Sequence, residues 1–274
     1  AGVDRVGPQR HVTLTDAQLT HMLAEEAGKR LLEAREKLRT MEADTWLAKD
    51  VGDAIAQQYL NEALSEHRPN DAILSEEALD DDRRLTADRV WIIDPLDGTQ
   101  EFSEFDRSDW AVHVALWERR DDAGNPSADG HLVAGAVALP GFGITLSTDQ
   151  PPATPERKER NPVIVVSRNR VTREVIAVAE RLGCDVARLG SAGAKTMAVV
   201  LGEADLYVHS GGMHQWDSAA PIAVAHAAGL HTSRLDGSPL IYNRADTWLP
   251  DLIVCQQHLA RPVMEAIREG RLNG

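Results

Sequence analysis

The feature of this sequence that most constrains its fold is an apolar run, Val-Trp-Ile-Ile at residues 90–93, that leads without a spacer into Asp94-Pro-Leu-Asp-Gly-Thr99. A short apolar run bounded by turn residues predicts a buried strand. Asp-Pro and Asp-Gly predict a tight turn at the end of that strand. The carboxylates of Asp94 and Asp97 would then be held rigidly, which favours ligand binding. Taken alone, the same six residues also fit an ordinary turn.

Oxygen atoms dominate this turn, and hard cations such as magnesium prefer oxygen ligands. Asp94, the Leu96 carbonyl and Asp97 together offer three such ligands. A turn of this kind can hold two ions a few ångströms apart. The sequence therefore predicts a candidate metal site at the end of this strand.

Three further acidic positions are candidates to join the turn. A Glu-Glu pair at residues 76–77 directly follows a short apolar strand at residues 72–74. Asp217 stands in the first turn of an apolar helix of small residues, and Asp53 stands where the polar loop of residues 40–52 meets a second helix. Each also has an ordinary explanation, since paired glutamates are usually solvated and Asp at a helix start caps backbone amides.

The order of predicted elements indicates a mixed α/β chain. A capping box at Thr15 and Gln18 opens a long amphipathic helix, and mostly strands follow, so the first half is α+β. Beyond a proline-containing crossover at residues 150–161, strands and helices alternate, as in α/β proteins. We therefore predict two subdomains, residues 1–150 and 151–274. The later predicted strands are residues 111–117, 131–139, 144–147, 163–166, 206–209 and 252–255, and the later helices are residues 172–182, 192–201, 217–228 and a terminal helix reaching residue 267.

Charge and cysteine content narrow the partners and the compartment. Asp and Glu number 43 against 29 Lys and Arg, a net charge of −14, which repels polymeric nucleic acid and anionic membrane surfaces. A small anion remains a possible ligand because bound divalent cations invert the local field. No apolar run approaches the about 18 to 20 residues that cross a bilayer. Cys184 and Cys255 show no metal-binding spacing, and so few cysteines favour a reducing cytoplasm.

The acidic positions form one ordered pattern along the chain: Asp53, Glu76-Glu77, Asp94-Pro-Leu-Asp-Gly-Thr99 and Trp216-Asp217-x-x-Ala220. This pattern resembles the lithium-sensitive, magnesium-dependent phosphatase superfamily of inositol monophosphatases, fructose 1,6-bisphosphatases and bisphosphate nucleotidases. The similarity extends over nearly the whole chain. Three motifs look most like the 3'-phosphoadenosine 5'-phosphate phosphatases of the bacterial CysQ type: Asp97-Gly-Thr-Gln-Glu-Phe102, Val166-Ser-Arg168 and Gly193-Ala-Lys195.

The resemblance implies a fold and a metal site. The fold would be a layered αβαβα sandwich with the metal site between its two halves. Glu76, Asp94, the Leu96 carbonyl, Asp97 and Asp217 would bind two or three magnesium ions, with Asp53 reaching a further ion or its water. The first subdomain would hold most of these ligands and the second would hold Asp217. Relatives commonly read Val-Thr-x-x-Asp where this chain reads Lys49-Asp-Val-Gly-Asp53, and this departure bears on a loop that is mobile in relatives.

The resemblance also implies catalytic and substrate-binding roles. Thr99, with Asp53 or Glu76, would form the relay that orients the attacking water, so these three residues are the predicted catalytic set. The predicted substrate contacts are Leu96, Asp97, Gly98, Thr99, Arg168, Ser191, Lys195 and Asp217. Arg168, Ser191 and Lys195 could equally be plain surface polarity. The implied reaction is hydrolysis of 3'-phosphoadenosine 5'-phosphate in sulfate assimilation, with its phosphosulfate analogue as a second substrate and lithium as an inhibitor.

Two alternatives stay open. The same site could serve an inositol 1-phosphate or fructose 1,6-bisphosphate phosphatase, or the fold could belong to a regulatory binding protein without turnover. A homodimer is the expected assembly by base rates for soluble oligomers. A Walker nucleotide site is rejected because Ala194, not Gly, precedes Lys195. The histidines of the final third lack the spacing of a zinc pair and are expected to be packing or surface residues.

Overall fold

A computed structural model describes residues 13–272 of the chain. Within these residues the helices are α1 (Asp16–Thr40), α2 (Thr45–His67), α3 (Thr99–Ser103), α4 (Arg173–Leu182), α5 (Ala192–Val200), α6 (Ala219–Ala227) and α7 (Ala260–Leu272). The strands are β1 (Ala72–Ser75), β2 (Arg89–Asp97), β3 (Ala111–Arg120), β4 (Pro126–Leu139), β5 (Ile144–Ser147), β6 (Val163–Ser167), β7 (Asp185–Leu189), β8 (Leu206–His209), β9 (Met213–His214), β10 (His231–Ser233), β11 (Trp248–Leu249) and β12 (Leu252–Cys255).

Two five-stranded sheets form the framework. The first has the order β1-β2-β3-β4-β5, with β1 parallel to β2 and the other neighbours antiparallel. The second has the order β10-β12-β8-β6-β7, with β6 parallel to both β7 and β8. A short antiparallel pair, β9 with β11, lies apart from both sheets. The first sheet is therefore built by residues 72–147 and the second by residues 163–255.

The alternation of side chains along β2 explains how the layers stack. Trp91 and Ile93 face one side, where they pack with apolar residues of α1 and α2. Val90 and Ile92 face the other side, in a cluster that contains α5, α6 and the inner face of the second sheet. The outer face of the second sheet packs against α4 and α7. Successive strand residues point to opposite faces, so each sheet packs against helices on both of its faces. The order of layers is therefore αβαβα, which confirms the predicted fold class.

Helix α2 corrects the prediction for residues 40–52. Asp44 accepts a hydrogen bond from the Leu47 amide at 2.8 Å and so caps a helix that begins at Thr45. Asp53 therefore lies inside α2, not at a junction between a loop and a helix. The local signal was misleading because Gly52 is a poor helix former. Its absent side chain allows α2 to approach Leu96 and Phe102, and that packing outweighs the propensity.

The close approach at Gly52 yields a stability prediction. A Cβ atom there would lie 2.7 Å from Leu96 Cδ2 and 2.7 Å from Phe102 Cε1, both of them in buried side chains. Alanine gains up to about 1 kcal/mol in helix propensity, but overpacking costs about 1 to 3 kcal/mol. We expect Gly52→Ala to lower the free energy of unfolding by about 1 to 2 kcal/mol in urea titrations. Ser65→Ala, at an exposed position of the same helix, should instead be neutral or slightly stabilising, and an equal gain at both positions would contradict the argument.

Residues 148–162 connect the two sheets without regular structure. The middle apolar cluster contains residues from both sides of this crossover, and the division at residue 150 stays a prediction.

Cys184 and Cys255 are free thiols. None of the helices in residues 13–272 is both long and apolar enough to cross a membrane.

Candidate active site

The acidic residues predicted from the sequence converge between the two sheets. Asp94 and Asp97 lie at the end of β2, and Asp217 ends a short 3-10 turn that leads into α6. Each of the three offers an oxygen atom within 4.8 Å of the others. Asp94 is 1 % exposed and Asp97 is 8 % exposed. The structure thus gathers carboxylates from two distant parts of the chain into one buried pocket.

The parallel pairing of β1 with β2 brings Glu76 to the same pocket. Ser75 pairs with Ile93, so the residues that follow them, Glu76 and Asp94, lie next to each other. Part of the Glu76 side chain reaches solvent. Burial of its carboxyl group and the charge of Asp217 nevertheless raise the pKa of Glu76 to about 7. Glu76 therefore stands at the mouth of the pocket and Asp94 at its base.

The pocket fits a divalent cation. Asp94 Oδ2 is buried and has no hydrogen-bond partner. Burial and the neighbouring charges of Glu76 and Asp97 raise the pKa of Asp94 well above its usual value. Burial, together with the charge of Asp97, likewise raises the pKa of Asp217 to about 6. Buried carboxylates that repel one another need a counter-charge, and the oxygen donors are those that magnesium prefers.

Asp97 differs from its neighbours because donors surround it. The Gly193 amide donates to Asp97 Oδ2 at 2.6 Å, and His113 Nε2 lies 3.1 Å from the same oxygen. Burial alone would raise the pKa of Asp97, but these two groups outweigh it and hold that pKa below its usual value. The negative charge of Asp97 is therefore better stabilised by the protein than that of Asp94.

A hydroxyl group lies beside the carboxylates. Thr99, the first residue of α3, has its Oγ1 atom 3.3 Å from Asp53 Oδ1 and 3.1 Å from the Leu96 carbonyl oxygen. A hydroxyl has a single proton, so it donates to only one of these acceptors at a time. Burial and the charge of Glu77 raise the pKa of Asp53 to about 6. Asp53, on α2, is thus in direct contact with Thr99.

Gly98 allows the turn to close between these groups. Its φ angle is +83°, a left-handed conformation that favours glycine. A Cβ atom at this position would also lie 2.9 Å from Ser191 Cβ. The turn therefore passes directly against the start of α5, where two of the predicted substrate contacts lie.

Of the three predicted contacts that could also be surface polarity, two are buried, and all three already have partners in the protein. Ser191 is buried and caps α5 by accepting from the Ala194 amide at 2.9 Å. Lys195 is 4 % exposed, and its Nζ donates to the Gly190 carbonyl at 2.6 Å. Burial lowers the pKa of Lys195. Arg168 forms ion pairs with two carboxylates, those of Glu101 at 2.7 Å and Glu104 at 3.0 Å.

Sequence reasoning missed two residues that support the site. His113 on β3 is fully buried and contacts Asp97. Asp109 accepts from the Gly190 amide at 2.6 Å and so supports the turn before Ser191. The available signal for His113 was a lone ionisable side chain inside the otherwise apolar run of residues 111–117.

A layered αβαβα sandwich with an acidic pocket and a hydroxyl group between its sheets defines a class of phosphatases. The model of the inositol monophosphatase family matches residues 13–269. This chain belongs to that family, as the sequence pattern predicted.

Relatives and solved structures agree with this assignment. A 3'-phosphoadenosine 5'-phosphate phosphatase of Mycobacterium leprae is 46% identical over 261 residues, which cover 93% of this chain and 94% of the relative. The 3'(2'),5'-bisphosphate nucleotidase CysQ of Escherichia coli K12 is 28% identical, over 83% of this chain and 94% of the relative. The crystal structure of CysQ from Bacteroides thetaiotaomicron superposes with a TM-score of 0.69 at 25% identity, over 88% of this chain and 97% of that chain.

Proposed function

We propose that this protein is a magnesium-dependent phosphatase that hydrolyses the 3'-phosphate of 3'-phosphoadenosine 5'-phosphate to give AMP and phosphate. The observation that carries the proposal is the largely buried cluster of Asp94, Asp97 and Asp217, together with the Thr99 hydroxyl, which contacts Asp53 and the Leu96 carbonyl. The identity of 46% to a phosphatase of this substrate supports the choice of substrate. The phosphosulfate analogue would be a second substrate, and clearance of these nucleotides would serve sulfate assimilation in the cytoplasm.

The residues that would hold magnesium include the three clustered carboxylates and the oxygen donors next to them in the fold. They are Glu76, Asp94, the Leu96 carbonyl, Asp97 and Asp217, with Asp53 serving a further ion. Bound magnesium supplies positive charge against the phosphoryl oxygens and lowers the pKa of a bound water. Lithium would inhibit by taking one of these positions.

Thr99 and Asp53 would orient the attacking water. When the Thr99 hydroxyl donates to Asp53, the Leu96 carbonyl is left without that proton and is available as a ligand. The oxygen of Thr99 can then accept a hydrogen bond from the attacking water. Asp53 or Glu76 takes up the proton that this water loses during the attack. Asp53 accepts in this way only when it is ionised, which its pKa of about 6 permits at neutral pH.

Lys195 would contribute to substrate choice. Its Nζ uses one of three protons on Gly190, which leaves two for the phosphate that the reaction retains. Ser191 would act beside it, and Arg168 would first have to exchange Glu101 or Glu104 for the substrate. Gly98 and Thr99 would meet the scissile phosphate through backbone and hydroxyl donors.

Comparative hydrolysis tests the proposal. Phosphate release would be measured from 3'-phosphoadenosine 5'-phosphate, inositol 1-phosphate and fructose 1,6-bisphosphate, each with magnesium, without it, and with added lithium. We expect a magnesium requirement and at least about a tenfold preference in kcat/KM for the nucleotide. A preference for inositol or sugar phosphate would overturn the substrate assignment. No release from any of the three would overturn the enzymatic proposal in favour of a binding protein.

Lys195→Ala refines the test of specificity. Because Lys195 would meet the retained phosphate, its loss should reduce kcat/KM about tenfold or more for the nucleotide. The effect on inositol 1-phosphate, which has no second phosphate, should be several times smaller. Lys37→Ala, at an exposed position of α1, is the matched control and should leave kcat/KM unchanged for both substrates. Equal losses on both substrates would show that Lys195 does not select between them.

A further inference from the structure

His113 lies between the two motifs that supply the buried carboxylates. It is 0 % exposed and stands on the face of β3 that looks into the middle layer, beside Ala111 and Ala115. Its backbone pairs with Asp94 across the sheet. An imidazole buried among apolar residues loses its hydration, and polar groups in such places need partners.

Both nitrogen atoms of His113 face oxygen atoms of the site. Nδ1 lies 3.0 Å from the carbonyl oxygen of Trp216, the residue before Asp217. A carbonyl only accepts, so Nδ1 carries a proton and donates it. Nε2 lies 3.1 Å from Asp97 Oδ2, close but imperfectly aligned for a hydrogen bond. One ring therefore spans from the β2 turn to the turn that places Asp217.

The surroundings hold this ring in place. A Cβ atom on Gly193 would lie only 2.2 Å from His113 Nε2, so the start of α5 closes against the imidazole. The Gly193 amide and His113 Nε2 both face the same oxygen of Asp97, Oδ2. With that oxygen engaged by the protein, the second oxygen, Oδ1, remains for a ligand in the pocket.

We propose that His113 is a positioning residue, which fixes the Asp97 carboxylate against the Trp216–Asp217 turn and thereby sets the spacing of the cation ligands. This inference rests on the proposed function. His113 itself touches neither substrate nor cation. It acts as the outer partner of a ligand, and loss of such a partner typically weakens metal affinity about 10- to 100-fold.

Two substitutions separate the two contacts of the ring. His113→Asn keeps an amide nitrogen near the position of Nδ1, so it retains a donor for Trp216 but does not reach Asp97. His113→Gln extends the amide to about the position of Nε2 and can still donate to Asp97. Val114→Ala is the control, because Val114 is buried on the opposite face of the same strand, against α1 and α2. Truncation of this side chain lowers the stability of the protein but alters no contact in the pocket.

The experiment measures binding of Mn²⁺ to EDTA-treated protein, from the electron paramagnetic resonance signal of free Mn²⁺, beside kcat, KM and thermal stability. We expect His113→Asn to weaken Mn²⁺ binding at least about tenfold, His113→Gln to recover part of that loss, and Val114→Ala to bind as the wild type does. KM for substrate should change less than the Mn²⁺ requirement. Wild-type affinity in both His113 variants, with stability lowered as in Val114→Ala, would overturn the positioning role and leave the phosphatase proposal intact. A wild-type protein that neither binds Mn²⁺ nor releases phosphate would overturn both.

Discussion

Asp94→Asn should reduce phosphate release by about a thousandfold or more at saturating magnesium. Asp94 lies at the base of the pocket with an oxygen atom that no protein group engages. An amide presents one weakly accepting oxygen and no negative charge, so a cation placed there would lose several kcal/mol of stabilisation, and each 1.36 kcal/mol is about tenfold in rate. The measurement is kcat/KM for 3'-phosphoadenosine 5'-phosphate across a magnesium titration.

The same substitution should not weaken the metal-free fold. Burial and the neighbouring carboxylates raise the pKa of Asp94, so its negative charge is unfavourable in the metal-free fold, and an amide of nearly the same shape removes that charge. We expect an unchanged or higher melting temperature without metal, together with a smaller rise on adding magnesium. Asp185→Asn, on the exposed edge strand β7, should leave activity untouched. Normal phosphate release by Asp94→Asn would refute the metal mechanism.

In metal-free protein, the contribution of the site carboxyl groups to the free energy of unfolding should fall as pH rises from about 4 to about 7. The pKa of Asp217 is raised from 3.8 to about 6 in the fold by burial and by Asp97, so the folded state holds its proton over a range where the unfolded chain has released it. The stabilisation is complete below about pH 4 and lost as pH passes the folded pKa. From Asp217 alone the expected loss is on the order of 2 to 3 kcal/mol. Glu76, with a pKa of about 7, adds to it in the same direction.

The pH effect is measured as a difference, because other carboxylates titrate in the opposite sense. Asp251 pairs with Arg234 at 2.8 Å, and although burial opposes it, the pair holds the pKa of Asp251 below its usual value. Urea unfolding of wild type and Asp217→Asn, in EDTA at several pH values, isolates the pocket. Asp217→Asn should become the more stable of the two as pH rises, and magnesium at pH 8 should reverse that order. A pH-independent difference would show that Asp217 ionises normally.

Local chemistry predicted much of the fold. The capping box of Thr15 and Gln18 forms as expected and opens α1. The apolar run at residues 90–93 forms the centre of β2, and Gly183 ends α4 in a left-handed conformation. These features depend on residues close in sequence, which is why pattern and turn chemistry sufficed.

Elements that depend on distant partners were not predictable in the same way. Strand β7 is an edge strand with exposed and charged residues and lacks an apolar alternation. The first turns of α2 were not predicted because Gly52 is a poor helix former. Its lack of a side chain matters only for the close approach of α2 to Leu96, which the local sequence does not show. In the site, strand ends indicated Asp94, Asp97 and Glu76. The helix-start positions indicated Asp217 and Asp53 as candidates, but a capping role explained them equally well, and only the family pattern joined them to the strand ends. The bridge made by His113 depends on packing of β3 against α5 and the Trp216 turn, and no local pattern encodes it.

The middle layer has a consequence for how the protein is assembled during synthesis. Helix α6, whose preceding turn supplies Asp217, packs within the apolar cluster that contains residues of both sheets. The first sheet is complete at residue 147, whereas the last central strand of the second sheet ends at Cys255. A nascent chain of which only the first half has been synthesised therefore contains Asp94 and Asp97 but not Asp217. The complete set of carboxylates proposed to hold the cation therefore exists only once the second sheet and α6 have joined the first sheet.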